Sequence, residues 1–208
     1  MAPDRTLNTD SALAVFDFDG TLTRRDTLVP FLVAVCGRRP VSMAILRHGI
    51  VVARAWAGLG GEAVAKQALF SRLLKGRRVA DVEAEVPAFS GQLLEDGMRP
   101  EMLERVEWHR AEGHRLVVVS ASPELYVVPI ALGLGFTTVI ATRLEVDGDG
   151  RLTGRLVGAN VKGREKVRRL HEEVGEVPVG WAYGNSRGDR ELLALARQPM
   201  MVGKRARA

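Results

Sequence analysis

The sequence is poor in several features, and each absence excludes a class of protein. The chain of 208 residues has one cysteine, Cys36, which excludes an internal disulfide framework, and the apolar run around it predicts a buried thiol. Aromatic residues make up only 5% of the chain, which predicts a mainly aliphatic core. No uncharged apolar run reaches about 18 residues, so we expect no membrane-spanning helix. The N-terminus has no basic segment followed by an apolar block, so we expect no signal peptide and a cytoplasmic location.

The remaining composition is typical of a globular protein. Hydrophobic residues make up 46% of the chain and charged residues 26%. The length allows one large domain, or one domain with an insert. The net charge is +5 and the pI is near 9.9. This basic balance suits an anionic substrate, a nucleic acid or an anionic membrane surface, and it does not choose among them.

An acidic motif directly follows the first apolar run. Residues 12–16 predict a buried strand, and the stretch 17–23, DFDGTLT, comes after it. Asp17 and Asp19 therefore lie where a parallel strand ends, and Gly20 allows a sharp turn just after them. Ligands of open α/β sheets bind at the carboxyl ends of the strands. An ordinary acidic surface turn is the alternative, and it is disfavoured because the rest of the chain supplies suitable partners.

The chain after this motif divides into a helical segment and a segment of alternating strands and helices. Between about residues 25 and 97 the pattern predicts helices only, at 27–35, 41–59, 62–75 and 79–96, the last with a break at Pro87. After residue 99 it predicts a hairpin turn at 147–150, helices at 100–111, 163–174 and 190–196, and strands at 114–119, 137–141, 179–183 and 200–202. A helix beginning at Pro123 is expected to kink or end early at Pro129.

This alternation predicts a Rossmann-like, doubly wound parallel sheet with an inserted helical cap domain. We assign residues 1–24 and 98–208 to the core and residues 25–97 to the cap. Right-handed crossovers place the loops after Phe16, Val119 and Tyr183 on one edge of the sheet. Polar residues of these loops are then expected to converge, namely Asp17, Asp19, Ser120, Asn185 and Asp189.

Four motifs, in this order and spacing, resemble those of a known enzyme family. They are DFDGTLT at 17–23, VVVSAS at 117–122, GREKVRRL at 163–170 and YGNSRGD at 183–189. The chain resembles phosphatases of the haloacid dehalogenase-like superfamily, subfamily IB, in the branch that contains phosphoserine phosphatase. The resemblance covers nearly the whole chain. It implies a Mg²⁺-dependent phosphomonoester hydrolase that acts through an aspartyl-phosphate.

The two acids of the first motif have distinct expected roles. Asp17 is expected to attack phosphorus as a carboxylate nucleophile. Asp19 is expected to protonate the leaving oxygen and later to deprotonate the attacking water. The resemblance also implies that the Asp19 carbonyl binds the metal. Thr21 is expected to hold Asp19 or the loop in place near the substrate, and a purely local turn hydroxyl is an equal alternative.

The second and third motifs supply groups for the phosphoryl oxygens. The Ser120 hydroxyl is expected to bind a phosphoryl oxygen, together with backbone N–H groups around Ala121. The alternative for Ser120 is a second capping hydroxyl, although Ser122 fills the N-cap position better. Lys166, mainly by resemblance, is the cation that balances the charge of Asp17 and the phosphoryl group. A solvated helix lysine is the alternative, and Lys162 is the competing choice.

The fourth motif completes a predicted Mg²⁺ site and departs from the common pattern. Mg²⁺ prefers oxygen ligands, and by resemblance Asp17, the Asp19 carbonyl, Asn185 and Asp189 would provide them. Relatives most often have Asp where Asn185 stands. An amide oxygen can still bind the metal but brings no charge. We therefore expect weaker metal binding or a larger role for Asp189.

The cap is expected to select the substrate, although the sequence names none. Asp26 could recognise a substrate amino group, and a helix N-terminal acid favoured by the helix dipole is an equal alternative. Arg72 is a weak candidate for a carboxylate reader, since residues 25–78 contain ten Lys or Arg against two acids. The four histidines show no metal-ligand spacing and are interpreted as structural or surface residues.

We expect a small phosphorylated substrate, and a phosphoserine-like molecule is one candidate. We expect no nucleic acid partner, because the tryptophans are not interleaved with a basic strip. A phosphotransferase, a lipid-phosphate phosphatase and a non-catalytic regulatory or binding protein are the alternatives. Helix 41–59 is apolar around most of its circumference. It therefore predicts packing inside the cap or, as the alternative, transient contact with an anionic membrane.

Overall fold

A parallel sheet covered by helices forms the centre of the molecule. The computed structural model describes residues 12–49 and 61–203. The sheet has five strands in the order β3-β2-β1-β6-β7, and all neighbouring strands are parallel. The strands are β1 (Leu13–Phe16), β2 (Arg115–Pro123), β3 (Thr138–Thr142), β6 (Val179–Gly184) and β7 (Ala196–Met201). The predicted Rossmann-like α/β fold is confirmed.

Strand β1 lies at the middle of the sheet, and all four of its side chains are apolar, as burial on both faces requires. Successive side chains of a strand point to opposite faces. Leu13 and Val15 therefore join the apolar cluster on one face, and Ala14 and Phe16 join the cluster on the other. Helices cover both clusters, as expected for a buried parallel sheet. The carboxyl end of this central strand leads directly into Asp17.

Helices occupy the predicted segments, with some changes in their bounds. In the described part of the chain they are α1 (Leu28–Cys36), α2 (Arg38–Arg47), α3 (Glu62–Leu73), α4 (Val79–Glu83), α5 (Val86–Gln92), α6 (Pro100–Ala111), α7 (Glu124–Gly133), α8 (Arg164–Val174) and α9 (Arg190–Ala194). None of these helices is both long and apolar enough to cross a bilayer. The predicted helix 41–59 begins earlier, at Arg38, and its part after residue 49 lies outside the described residues.

Three prolines show how the helix bounds compare with the predicted segments. Pro40 lies in the first turn of α2 and Pro87 in the first turn of α5, where the missing N–H would have no helical partner in any case. The predicted break near Pro87 is present, between Glu83 and Val86. Pro129 lies inside α7, which continues to Gly133. Burial of Tyr126, Ile130 and other apolar residues on this helix outweighs the lost hydrogen bond.

A small antiparallel hairpin, β4 (Leu144–Val146) and β5 (Leu152–Leu156), was predicted correctly and packs on the helical segment. The Gly76 N–H donates to the Leu152 carbonyl at 2.8 Å, and the Leu152 N–H donates to the Arg77 carbonyl at 2.9 Å. The Ser71 hydroxyl donates to the Gly154 carbonyl at 3.2 Å. Residues assigned to the core by sequence are thus hydrogen-bonded to the predicted cap. The division into domains stays a prediction.

Gly154 permits this close contact, and its replacement tests how much the contact stabilises the fold. Its φ is +81°, and a Cβ there would lie 2.6 Å from the Ser71 Cα. Gly113 also has a positive φ, +73°, but a Cβ there would have no neighbour within 4 Å. We expect Gly154→Ala to reduce the free energy of unfolding by about 1–3 kcal/mol more than Gly113→Ala. Urea denaturation measures both variants, and equal losses would contradict the contact.

Candidate active site

A pocket of about 470 Å³ opens at the carboxyl edge of the sheet. Seven of the nine residues predicted for the site line it: Asp17, Asp19, Asp26, Ala121, Lys166, Asn185 and Asp189. Thr21 and Ser120 are fully buried and are not among the lining residues. The convergence of loops that the topology predicted is therefore present in the structure.

A buried lysine joins two of the predicted carboxylates. Lys166, on the first turns of α8, donates to Asp17 Oδ1 at 2.5 Å and to Asp189 Oδ1 at 2.6 Å. The three side chains are at most 8% exposed. Thr21 donates to the second oxygen, Asp17 Oδ2, at 2.8 Å. This arrangement fixes the Asp17 carboxylate at the end of β1. It also selects Lys166 over Lys162 as the cation beside Asp17.

The pKa values of Asp17, Lys166 and Asp189 are shifted differently by burial and by their neighbours. Burial raises the pKa of Asp17 to about 6, even though the charge of Lys166 opposes that rise. Burial acts to lower the pKa of Lys166, but the two carboxylates outweigh it and the pKa is raised. Burial also acts to raise the pKa of Asp189, but Lys166 and hydrogen bonds from Ser186 leave that pKa lowered. Lys166 and Asp189 therefore remain charged at neutral pH.

Asp189 also organises the loop that carries Asn185. Its Oδ2 accepts from the Ser186 N–H at 2.9 Å, the Ser186 hydroxyl at 2.8 Å and the Asn185 N–H at 3.1 Å. Ser186 and Asp189 form a capping box at the short 3₁₀ turn 187–189. Asp189 is 1% exposed, and both of its oxygens have protein partners. Asp189 therefore fixes the loop that places Asn185 at the pocket.

Asp19 is held by hydroxyl groups and an amide. Its Oδ1 accepts from the Thr27 N–H at 2.7 Å and the Thr27 hydroxyl at 2.6 Å, and its Oδ2 accepts from the Ser122 hydroxyl. The Thr27 hydroxyl in turn contacts the buried Tyr126 hydroxyl at 2.9 Å. Burial and the charge of Asp26 raise the pKa of Asp19, although the bonds from Ser122 and Thr27 oppose the rise. A raised pKa suits a group that must donate a proton.

Gly20 allows the first loop to approach the fourth. Its φ is +74°, and a Cβ there would lie 1.9 Å from the Asn185 Nδ2. Any other residue would therefore push the Asn185 side chain away from the pocket. The Arg99 guanidinium donates to the Gly20 carbonyl at 3.1 Å and fixes the turn. The predicted need for glycine after the two acids thus has a steric cause.

The hydroxyl predictions require correction. Strand β2 continues to Pro123, so Ser122 does not cap a helix and bonds Asp19 instead. Ser120 accepts from the Ser122 N–H at 3.0 Å within the same strand and caps no helix, so its predicted contact with a phosphoryl oxygen stays a prediction. Thr21 bonds Asp17 and not Asp19. Sequence position alone could not show which of several nearby carboxylates each hydroxyl contacts.

Asp26 and Arg72, the two candidates for substrate recognition, lie in different places. Asp26 is exposed on the pocket wall, and its Oδ1 accepts from the Leu28 N–H at 3.0 Å at the start of α1. Both of its predicted roles therefore fit this position. Arg72 lies in a separate groove with Arg39 and Arg47. It is not part of the pocket.

The pocket contains cations that the sequence interpretation did not assign to it. Lys66 donates to the Ala121 carbonyl at 2.8 Å, across from the helical segment to the core. Four further basic residues and an apolar wall also line the pocket: Arg24, Arg25, Arg99 and Lys162, with Leu28, Val29, Ala65 and Leu69. The excess of Lys and Arg over 25–78 was the available signal. It could not show which side chains face the pocket.

Two histidines form a separate buried cluster beneath the sheet. His109 Nε2 lies 2.9 Å from the Tyr183 hydroxyl, and His109 Nδ1 lies 2.8 Å from His114 Nδ1. Burial and the neighbouring His114 lower the pKa of His109 to about 3. These contacts match the structural role that was predicted for them. His109 and His114 are not among the residues lining the pocket.

The oxygen groups at the pocket fit a hard divalent cation. Asp17, Asp19 and Asn185 line it together, and a carboxylate, a main-chain carbonyl and an amide oxygen are ligands that Mg²⁺ accepts. Within residues 12–49 and 61–203, no group of three or more His, Cys, Asp or Glu could hold a metal ion. A metal site at this pocket would therefore need main-chain carbonyl or amide oxygens in addition to carboxylates.

The parallel sheet with paired carboxylates at its edge defines an α/β enzyme. The chain belongs to the haloacid dehalogenase-like hydrolase family, since residues 14–194 match that family. The predicted family and the prediction of a phosphatase-type enzyme within it are confirmed.

The relatives agree with this placement. The chain is 40% identical to protein CicA of Caulobacter vibrioides over 186 residues, which is 88% of this chain and 82% of that protein. It is 27% identical to phosphoserine phosphatase SerB1 of Mycobacterium tuberculosis over 206 residues, which is 95% of this chain and 66% of that protein.

Solved structures show the same fold. A Bordetella pertussis protein of unknown function matches with a TM-score of 0.75 and 25% identity, covering 88% of this chain and 86% of that one. A substrate-bound phosphoserine phosphatase matches with a TM-score of 0.63 and 21% identity, covering 89% of this chain and 83% of that one.

The raised pKa of Asp17 predicts a pH dependence of stability. Its folded pKa of about 6 exceeds the reference value of 3.8. The stabilisation contributed by Asp17 is therefore fully present below about pH 4 and is lost as the pH rises through about 6. In metal-free buffer, the free energy of unfolding of the wild type minus that of Asp17→Asn should fall by about 1–3 kcal/mol across this range.

Urea denaturation at several pH values measures this difference. Thr21→Val is the matched variant, because it removes a donor to Asp17 but keeps the carboxylate, and it should retain the fall. A constant difference between wild type and Asp17→Asn would contradict the raised pKa.

Proposed function

We propose that this hydrolase removes phosphate from a small phosphorylated metabolite through an aspartyl-phosphate on Asp17. One observation carries the proposal: the Asp17 carboxylate faces the pocket and is fixed by Lys166 and Thr21. Several relatives support it, since their names describe phosphatases of phosphoserine, histidinol phosphate and phosphoglycolate. Phosphoryl transfer requires positioning and charge neutralisation, and the pocket supplies both.

In the first step an Asp17 oxygen attacks phosphorus, and the bond from phosphorus to the leaving oxygen breaks. The protonated Asp19 carboxyl donates its proton to the leaving oxygen, and its raised pKa makes this form available. In the second step Asp19 takes a proton from water, which attacks the phosphorus and releases Asp17. Lys166 offsets the negative charge of Asp17 throughout.

Phosphatases of this family generally use Mg²⁺. We propose that Asp17, the Asp19 carbonyl and Asn185 bind it, with Asp189 fixing the loop of Asn185. When bound, the ion would neutralise charge on the phosphoryl oxygens. The remaining orientation of the phosphate would come from backbone groups near Ala121.

The charge of the pocket favours an additional anionic group on the substrate. Apart from the four residues Asp17, Asp19, Lys166 and Asp189, its charged lining residues are one acid, Asp26, and five cations, Arg24, Arg25, Lys66, Arg99 and Lys162. A carboxylate on the leaving group would meet this positive field. An ammonium group would fit only near Asp26. A phosphoserine-like substrate satisfies both conditions.

Phosphate release with Mg²⁺ tests the proposal. Asp17→Asn should abolish turnover of both phosphoserine and p-nitrophenyl phosphate, because the nucleophile is lost. Asp19→Asn should lose about 10²–10⁴-fold with phosphoserine. It should lose less with p-nitrophenyl phosphate, whose leaving group needs no proton.

Asp81→Asn, an exposed acid on α4, is the control for the removal of a carboxylate and should retain full turnover. Wild-type turnover by Asp17→Asn would exclude the nucleophile assignment. Absence of phosphate release by the wild type from any phosphoamino acid, sugar phosphate, nucleotide or lipid phosphate would exclude the proposed function.

The departure at Asn185 generates a separate prediction. Asn185→Asp adds a negative oxygen ligand to the pocket, so half-maximal turnover should need several-fold less Mg²⁺. A Mg²⁺ titration of the two enzymes at saturating substrate measures the change. An unchanged or higher Mg²⁺ requirement would mean that residue 185 does not bind the metal.

A further inference from the structure

Helix α2 exposes apolar side chains on the face opposite to its packed side. Val41 and Ala44 are buried, each 1% exposed, and pack into the core. Met43 and Leu46 are 65% and 76% exposed. Large apolar side chains with this much exposure, separated by one helical turn, need an explanation beyond packing within the cap.

Arginines surround this exposed pair. Arg39 and Arg47 lie one turn from Met43 on either side, so the four side chains share one face of α2. Arg72 from α3 lines the same groove. We call Arg39, Met43, Leu46, Arg47 and Arg72 the cap arginine patch. No carboxylate of the described residues forms an ion pair with its arginines.

The sequence around the patch keeps its charge unbalanced. From residue 27 to residue 61 the chain contains no Asp and no Glu. The positive field of Arg39 and Arg47 is therefore not offset by acids of the same segment. A partner that complements the patch must be anionic, and it must also accept two apolar side chains.

We propose that the cap arginine patch docks on an anionic lipid membrane. At such a surface, Met43 and Leu46 would enter the boundary between headgroups and acyl chains, while the guanidinium groups bind lipid phosphates. A nucleic acid would complement the arginines but would leave the exposed Met43 and Leu46 unexplained. The charge and the apolar exposure together therefore favour the membrane.

The patch is separate from the proposed catalytic pocket. Helix α3 supplies Ala65, Lys66 and Leu69 to the pocket and Arg72 to the patch one turn later. The two sets share no residue. Docking therefore does not depend on the proposed phosphatase function, and each can fail without the other.

Vesicle co-sedimentation of the full chain tests the docking. The probes are phosphatidylcholine vesicles with and without about one-third phosphatidylglycerol, in low and high salt. We expect binding that requires the anionic lipid and weakens with salt. Arg39→Gln with Arg47→Gln should weaken it about tenfold or more, since each basic residue near the surface contributes separately. Met43→Ser with Leu46→Ser should also weaken it severalfold.

Two control variants match these changes elsewhere on the surface. Leu132 and Val146 are 55% and 46% exposed, so Leu132→Ser with Val146→Ser removes similar apolar exposure. Arg115→Gln with Arg197→Gln removes the same charge from exposed positions. Both controls should bind vesicles like the wild type. Circular dichroism and thermal unfolding would verify that every variant is folded.

Three results would overturn the proposal. The first is no binding to anionic vesicles at low salt. The second is binding that the patch variants and the controls reduce equally. The third is patch-dependent binding to a DNA duplex without binding to vesicles, which would make the patch a nucleic-acid surface.

Discussion

One buried ammonium group determines the geometry of this active site. Lys166 bonds Asp17, 149 positions earlier in the chain, and Asp189, 23 positions later. Burying three charges costs solvation free energy, and a buried pair is weak evidence for stability. The consequence of the Lys166 ion pairs here is that they fix the positions of the two carboxylates. The Lys166 ammonium requires the ends of β1 and β6 and the start of α8 to meet at one point, and the pocket opens there.

The two acids of the first motif lie in different environments, which fits the separate roles that we propose for them. Asp17 is bound by an ammonium and one hydroxyl, whereas Asp19 is bound by two hydroxyls and an amide, with Asp26 nearby. A nucleophile must be ionised and a general acid must hold a proton. The roles that we propose for Asp17 and Asp19 therefore rest on the different partners that surround these two carboxylates, which are only two residues apart. This is the general way in which paired carboxylates divide acid and nucleophile functions.

The helical segment contributes to the site through specific contacts with the core. Lys66 reaches the Ala121 carbonyl, and Ser71 reaches the hairpin at Gly154. Residues of the helical segment therefore close one side of the pocket. Their sequence pattern predicted helices but no contact with the site. Most of its positive charge comes from this segment and its flanks. Selection among phosphorylated substrates is accordingly expected to depend on the cap and not on the four motifs.

The sequence by itself determined the parallel sheet, the order of its elements and seven lining residues of the pocket. The sheet and the convergence of Asp17, Asp19, Asn185 and Asp189 follow from local information: an apolar run, a turn glycine and the handedness of crossovers. Lys166 came mainly from the family resemblance. The tertiary structure decided three further features: the hydrogen bonds of Ser120, Ser122 and Thr21, the continuation of the helix through Pro129, and the cations around the pocket. Each depends on atoms that are distant in the chain or on burial that outweighs a local preference. The sequence places a hydroxyl near several carboxylates but does not say which of them it bonds, because the packing of the strands determines that distance.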